Sequence, residues 1–359
     1  MSWALEINKA DIREAQIREV PAQDLSDGQI RLAIDRFALT ANNITYAAFG
    51  EVMRYWDFFP ASLPDNGRLP VWGFARVAES KSSALGTGER IYGYFPAASE
   101  LVVEPSGVSP TAFVDASPHR ADLPAPYNRY VRCADDAGYD PALEAEQMVL
   151  QPLFLTGWLL ARYVNEEAAF GANRIFLTSA SSKTAIGMAK CLKDENRAGA
   201  RLIGLTSPGS RTFVEGLGFY DEVVTYPEIP ALHQGDPALI VDFAGDADIN
   251  RALHTRLADD LKANIRVGGA HWEHSTPSGD LPGPRPAFFF APDHVQRVIA
   301  DLGPGGFQKA YGQSWNEFAS GASGWLAFKD YSGAAASLEI YRKLIDGDAI
   351  ARDGLTISV

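Results

Sequence analysis

The chain has 359 residues, 46% of them hydrophobic and 21% charged, which is too apolar for a disordered chain and too mixed for a collagen or a coiled coil. Its 32 Lys and Arg against 45 Asp and Glu give a formal net charge of −13. No basic run offsets that balance, so nucleic acid and anionic membrane are poor partners, although local basic residues can still hold a small anionic ligand.

At roughly 150 residues per domain the length suggests two domains. Cys133 and Cys191 have no CxxC neighbour, which argues against a thiolate zinc site and a disulfide framework. The first eight residues carry an acid and no apolar h-region, unlike a signal peptide. No stretch approaches the ~18 uninterrupted apolar residues of a spanning helix. A cytoplasmic protein is expected.

The first third reads as β-rich. Gln29–Phe37 alternates apolar and polar residues after the Asp27-Gly28 turn, as a strand with one buried face does. Val71–Ala78, Arg90–Phe95 and Glu100–Glu104 are further strands. Five prolines between 105 and 130 predict a long irregular loop over the surface. A helix starts at Pro141–Glu146, and Gln151–Val164 is a buried helix. From there strands and helices alternate. Arg174–Thr178, Arg201–Thr206, Glu222–Tyr226, Ala238–Phe243, Ala263–Gly269 and Ala287–Ala291 are strands. Thr184–Lys193, Ser210–Leu217, Asp248–Leu257 and Asp293–Leu302 are helices. Short apolar runs alternating with helices indicate a parallel sheet covered on both faces, and about six strands match a doubly wound dinucleotide-binding domain. The tail adds an amphipathic stretch, Ser332–Ile345, and a short strand from Leu355 to Val359.

Three segments carry a family resemblance: Leu39-Thr-Ala-Asn-Asn-Ile-Thr-Tyr46, Tyr55-Trp-Asp-Phe-Phe-Pro60 and Ser179-Ala-Ser-Ser-Lys-Thr-Ala185. The chain resembles the zinc-free quinone and enoyl reductase branch of the medium-chain dehydrogenase/reductase superfamily, and more closely the DUF2855 proteins. The resemblance implies an α/β protein with a GroES-like β-rich domain, about 1–145 completed by 305–359. A Rossmann-like domain with a doubly wound parallel sheet would occupy about 146–304. The substrate is then expected in a cleft between the two, and a homodimer is common among such proteins.

The expected dinucleotide loop follows the strand 174–178. Where the superfamily has a glycine-rich turn, Ser179 and Ser182 stand at glycine positions and Ala185 at the last one. Serine and alanine are the smallest replacements, and a helix N-terminus still offers N–H groups and partial positive charge. Ser181, Lys183 and Thr184 complete the candidate phosphate cradle; a serine-capped helix without a ligand is the other reading. The next strand ends in Ser207-Pro-Gly-Ser-Arg211. It lacks the acid that NAD sites place there, and Arg211 suits a 2′-phosphate, which favours NADP(H). Gly245 in Val241-Asp-Phe-Ala-Gly and Gly269 in Arg266-Val-Gly-Gly match later turns of the same module. Thr156 matches the threonine that precedes it.

Zinc members carry Gly-His-Glu where this chain has Gly73-Phe74-Ala75, and no four-Cys lobe is present, so no metal is expected. His271 and His274 are the only close histidine pair and make a poor site. Without zinc, reduction needs a hydride and a group that stabilises or protonates the product oxyanion. Asn43, Tyr46 and Tyr55 are the candidates, with Trp56, Phe58 and Phe59 as apolar lining; plain core packing is the competing reading. His119, Arg120, Tyr127 and Arg129 lie in the proline-rich segment, which reads as a lid, a carboxylate site or, by preference, a surface wrap or dimer arm. The resulting expectation is an NADP(H)-dependent oxidoreductase acting on an enone, quinone or carbonyl. A lyase or isomerase retaining its NADP, and a binding protein that has lost the dinucleotide, are the alternatives.

Overall fold

A computed structural model describes residues 2–21, 23–136, 138–267, 281–347 and 350–359. The chain divides into two compact units. One comprises Met1–Val149 with Leu326–Val359, the other Leu150–Trp325.

The first unit opens with the hairpin β1 (Ser2–Asn8) and β2 (Ala15–Val20), then β3 (Ile30–Leu39), α1 (Ala41–Ala48), β4 (Asn66–Arg68), β5 (Pro70–Ser80) and β6 (Arg90–Pro96). β7 (Glu100–Val103), β8 (Pro105–Ser106), β9 (Ala112–Asp115) and β10 (Arg129–Arg132) follow. The helix α2 (Glu144–Glu166) carries the chain across the division. After the second unit the chain returns as β17 (Ala327–Ser332), α7 (Gly333–Ile345) and β18 (Asp353–Ser358). β3, β5, β6, β10, β9 and β8 form successive antiparallel pairs, and β18 closes on the other edge of β3 with β17 beyond it. β1, β2 and β4 form a separate small sheet. The alternation seen in the sequence explains β3, whose Ile30, Leu32, Ile34 and Phe37 are buried while residues between them are less so.

The second unit holds β11 (Arg174–Leu177), α3 (Lys183–Asp194), β12 (Arg201–Thr206), α4 (Arg211–Leu217), β13 (Glu222–Thr225), β14 (Ala238–Asp242), α5 (Ala247–Leu257), β15 (Leu261–Arg266), β16 (Ala287–Phe288) and α6 (Ala291–Gly321). Its sheet is parallel throughout, in the order β13-β12-β11-β14-β15-β16. β11 and β14 are buried along their whole length, which is why they read as continuous apolar runs. The order reverses between β11 and β14. That switch point is where open α/β sheets bind ligands at the carboxyl ends of their strands. Two glycines let α2 and α3 touch. A Cβ on Gly157 would lie 2.6 Å from the Met188 nitrogen, and one on Gly187 would lie 3.2 Å from the Phe154 ring.

Two expectations are corrected. The segment 105–130 is not an irregular surface loop: it contains β8, β9 and short 3-10 turns at Pro118–Arg120 and Ala125–Tyr127, and it buries Arg120. Proline at the start of a turn is compatible with its geometry, and an edge strand tolerates it. The expected boundary at 304/305 lies inside α6, which continues past Gly303 (φ 70°) and Pro304 as a kinked helix. Its later turns place Phe318 in a stack on Phe154 at 4.5 Å, and this aromatic packing keeps 305–325 with the second unit.

Candidate functional site

The second unit supplies a turn between β11 and α3. Its shape rests on two serines that behave differently. Ser179 has φ 49°, the left-handed conformation that glycine adopts most readily. Ser182 is extended (φ −72°) and caps α3, its hydroxyl accepting from Ala185 N at 3.4 Å. So only one of the two presumed glycine replacements takes a glycine-like backbone. Ser179 N–H donates to the Tyr226 hydroxyl at 3.0 Å, and Ala180 N–H to Leu205 O. Ser181, Lys183 and Thr184 are half-buried at the start of α3, whose first-turn N–H groups point along the axis away from the helix.

Beneath the turn lies a buried polar chain. Thr178 Oγ1 donates to Asp242 Oδ1 at 2.7 Å and accepts from Phe243 N and Ala244 N. Gly245 (φ 67°) donates its N–H to the same carboxylate oxygen. Asn250 Nδ2 holds the other oxygen at 3.0 Å, and Asn264 Nδ2 donates to Asn250 Oδ1 at 2.8 Å. His254 Nδ1 faces Pro282 O at 2.7 Å, so it carries the proton, and its Nε2 accepts from Asn264 at 2.7 Å. Burial pushes the Asp242 carboxyl above its ordinary 3.8, and burial lowers His254 below 6.5.

Arg211 lies on α4, just after a 3-10 turn at the end of β12. It is engaged by two acids. Its Nε donates to Glu215 at 2.9 Å, and Nη1 donates to both oxygens of Glu228, at 3.1 and 3.0 Å. Glu228 in turn accepts from Thr225 N and Thr225 Oγ1, closing a capping box. Ser207 is exposed, its hydroxyl donating to that of Ser210. Thr156 is half-buried on α2 beside the close-packed Gly157. Gly269 lies outside the described residues, as do His271 and His274. Among the described residues no group of three or more His, Cys, Asp or Glu side chains could hold a metal ion.

The first unit supplies a second, separate set of groups. The Tyr46 hydroxyl on α1 accepts from Trp72 Nε1 at 3.3 Å and from the side chain of Asn42, one turn earlier. Two donors on one phenol oxygen leave its own O–H to donate elsewhere. The rings of Tyr46, Tyr55, Tyr94 and Tyr127 form a continuous cluster, Tyr46 to Tyr55 at 4.7 Å and Tyr94 to Tyr127 at 4.7 Å. Burial raises the pKa of all four, so they stay neutral hydrogen-bonding phenols. Tyr55 and Tyr127 hydrogen-bond to each other. Phe58 and Phe59 join the cluster, but Trp56 does not. It wedges against Gly50 and Gly67, where a Cβ would lie 2.1 and 2.2 Å from the indole.

Asn43 serves a different end from the one expected. Its Oδ1 accepts from Thr40 N at 2.6 Å and its Nδ2 donates to Pro70 O at 2.8 Å, so it caps α1 and ties it to β5 from a buried position. The amide oxygen and one amide N–H are thus engaged within the fold. The expected surface wrap is also overturned. Arg120 is 1% exposed, pairs with Asp115 and donates to Tyr130 and to Tyr127 O. Tyr127 belongs to the phenol cluster, and the His119 ring meets Phe58 O at 3.3 Å.

The family profile described as "Protein of unknown function (DUF2855)" matches residues 37–349. The chain belongs to the DUF2855 family. Curated protein sequences show no match. Among solved structures, this DUF2855 protein is similar to a quinone oxidoreductase of Pseudomonas syringae pv. Tomato DC3000, at TM-score 0.58 and 14% identity over 100% of both chains. It is similar to the yhdH oxidoreductase of Salmonella enterica in complex with NADP, at TM-score 0.54 and 12% identity over 100% of both chains. A third similarity is to CurA of Vibrio vulnificus in complex with NADPH, at TM-score 0.57 and 10% identity over 98% of this chain and 96% of that one. At these identities the likeness establishes the fold that the sequence implied: a medium-chain dehydrogenase/reductase architecture.

Sequence reasoning missed Trp72, Tyr94, Glu228, Tyr226 and the Asn250–Asn264–His254 chain. One signal was available. Trp72 lies between buried neighbours on β5, and it faces Tyr94 as a cross-strand pair of β5 and β6. Tyr226 lies 47 positions from Ser179, and Glu228 carries only the mark of a helix cap, Thr225-Tyr-Pro-Glu228, which does not point to Arg211.

Proposed function

We propose that this protein is a zinc-independent NADP(H)-dependent oxidoreductase acting on a small carbonyl, enone or quinone. One observation carries the cofactor reading: a parallel sheet reversing between β11 and β14, with the capped N-terminus of α3 at the end of β11. Neighbours of the same fold, crystallised with NADP or NADPH, support it. The donor chemistry fits a dinucleotide. Ser181, Ser182, Lys183 and Thr184 would hold the pyrophosphate, and the Gly245 turn, fixed by Asp242, would lie along it. Bound NADPH would supply a hydride.

The chain's own contribution to the chemistry is a proton. Tyr46, neutral and with two donors on its oxygen, is the group we assign to hydrogen-bond a substrate oxygen and protonate it as negative charge develops there. Tyr55 supports it through ring contact and through its hydrogen bond with Tyr127. The test is a fluorescence titration of dialysed protein with NADPH and then NADH. Saturable binding that Ser182→Arg or Lys183→Glu abolishes supports the reading. Absence of binding to either nucleotide, with none released on denaturation, sinks it.

A further inference from the structure

The end of β12 carries no acid, yet an acid reaches the same place from the neighbouring strand. Glu228 follows β13 and offers both carboxylate oxygens to Arg211 Nη1, at 3.1 and 3.0 Å. Glu215 holds the Nε of the same guanidinium at 2.9 Å. One positive charge therefore sits between two negative ones. Hydrogen bonds from Thr225 N and Oγ1, with Arg211 beside them, hold the Glu228 carboxyl below its ordinary 4.5, so it is ionised at neutral pH. The loops after β12 and β13 are thus locked together at the strand ends where an adenosine ribose is read in this kind of sheet.

We propose that Glu228 is a specificity-determining residue that suppresses discrimination between NADPH and NADH; this rests on the dinucleotide reading above. A 2′-phosphate reaching for Arg211 finds Nε and Nη1 already engaged and approaches two acids as it does so, which weakens its gain from the guanidinium. A ribose 2′-hydroxyl meets no such opposition, because a carboxylate accepts its hydrogen bond. The residue that the sequence marks as the phosphate anchor is accordingly held in check by one that the sequence marks only as a helix cap. The arrangement is fixed from the far side as well, since Thr225 orients Glu228 independently of Arg211.

The experiment is direct binding, by intrinsic and nucleotide fluorescence, of NADPH and NADH to the full-length protein and to Glu228→Gln. Glutamine keeps an oxygen for the Thr225 cap, so the turn is preserved. NADPH affinity should rise about tenfold while NADH affinity stays level or falls. Glu228→Gln with both affinities unchanged, or both lowered alike, overturns the proposal while leaving the dinucleotide reading intact. Wild-type protein that binds neither nucleotide overturns both. Arg211→Ala is the second variant: it should cancel the gain in an Arg211→Ala/Glu228→Gln double substitution, and persistence of the gain there would count against Glu228 acting through Arg211.

Discussion

Arg120 and Asp115 meet at 2.7 Å with both side chains 1% exposed. Around them Asp115 also accepts from Glu104 N, Ser117 N and Ser117 Oγ, while Arg120 lies over the rings of Phe58, Phe59 and Tyr130. The pair thus anchors the proline-rich segment to the floor of the phenol cluster. Breaking a buried ion pair by removing one partner strands the other charge, a cost of about 3–5 kcal/mol. Asp115→Ala should lower unfolding stability by that order in urea titration. The double substitution Asp115→Ala/Arg120→Met should recover part of the loss, and a simple sum of the two single effects would show that the charges do not act as a pair.

Ser179 holds a left-handed backbone that costs an L-residue roughly 1–2 kcal/mol. Glycine would remove that cost but lose more chain entropy on folding. The balance predicts that Ser179→Gly raises stability by up to about 1 kcal/mol, with its N–H still free to meet Tyr226. Thermal unfolding checks this. A lower midpoint for the glycine variant would mean that the serine hydroxyl makes a compensating bond.

Tyr46→Phe removes a single oxygen from a site whose ring contacts are retained. Under the proposed function it should leave nucleotide affinity unchanged and lower kcat about a hundredfold, the usual weight of a general acid. Tyr55→Phe should cost less, because that hydroxyl is paired with Tyr127. Equal rates for Tyr46→Phe and wild type would assign the proton to another donor.

His254 titrates with a definite sign. Its pKa is lowered on folding by burial, so the unfolded chain takes the proton more readily. Stability is full above the ordinary 6.5 and declines as pH falls below it, because a proton on Nε2 would face the Asn264 amide. Asp242, joined to the same chain of bonds, has the opposite sign. Its raised pKa lets the folded state hold a proton more tightly, and this contribution grows as pH falls. Urea midpoints between about pH 5 and pH 8 should therefore slope downward toward acid, and His254→Gln should flatten that slope.

Much of the second unit was legible because its signals are local. β11, β12 and β14 are short apolar runs, and Ser182 sits where a helix cap belongs. The strands of the first unit showed themselves by alternation. The loops did not. Five prolines hide regular turns and a buried arginine, because proline forbids helix interiors but not 3-10 starts or edge strands. Asn43 reads as an oxyanion donor from its place in a resembling segment, and its ties to Thr40 and Pro70, which fasten α1 to β5, carry no mark in the sequence.

The sequence by itself determined the class of fold and the place of the turn between β11 and α3, since periodicity and capping act over a few neighbouring positions. Tertiary structure alone decided which groups share charge and hydrogen bonds. Arg211 meets Glu228 and Tyr46 meets Trp72, 17 and 26 positions apart, because the packing of helices and turns around the strands brings together side chains that no local pattern relates.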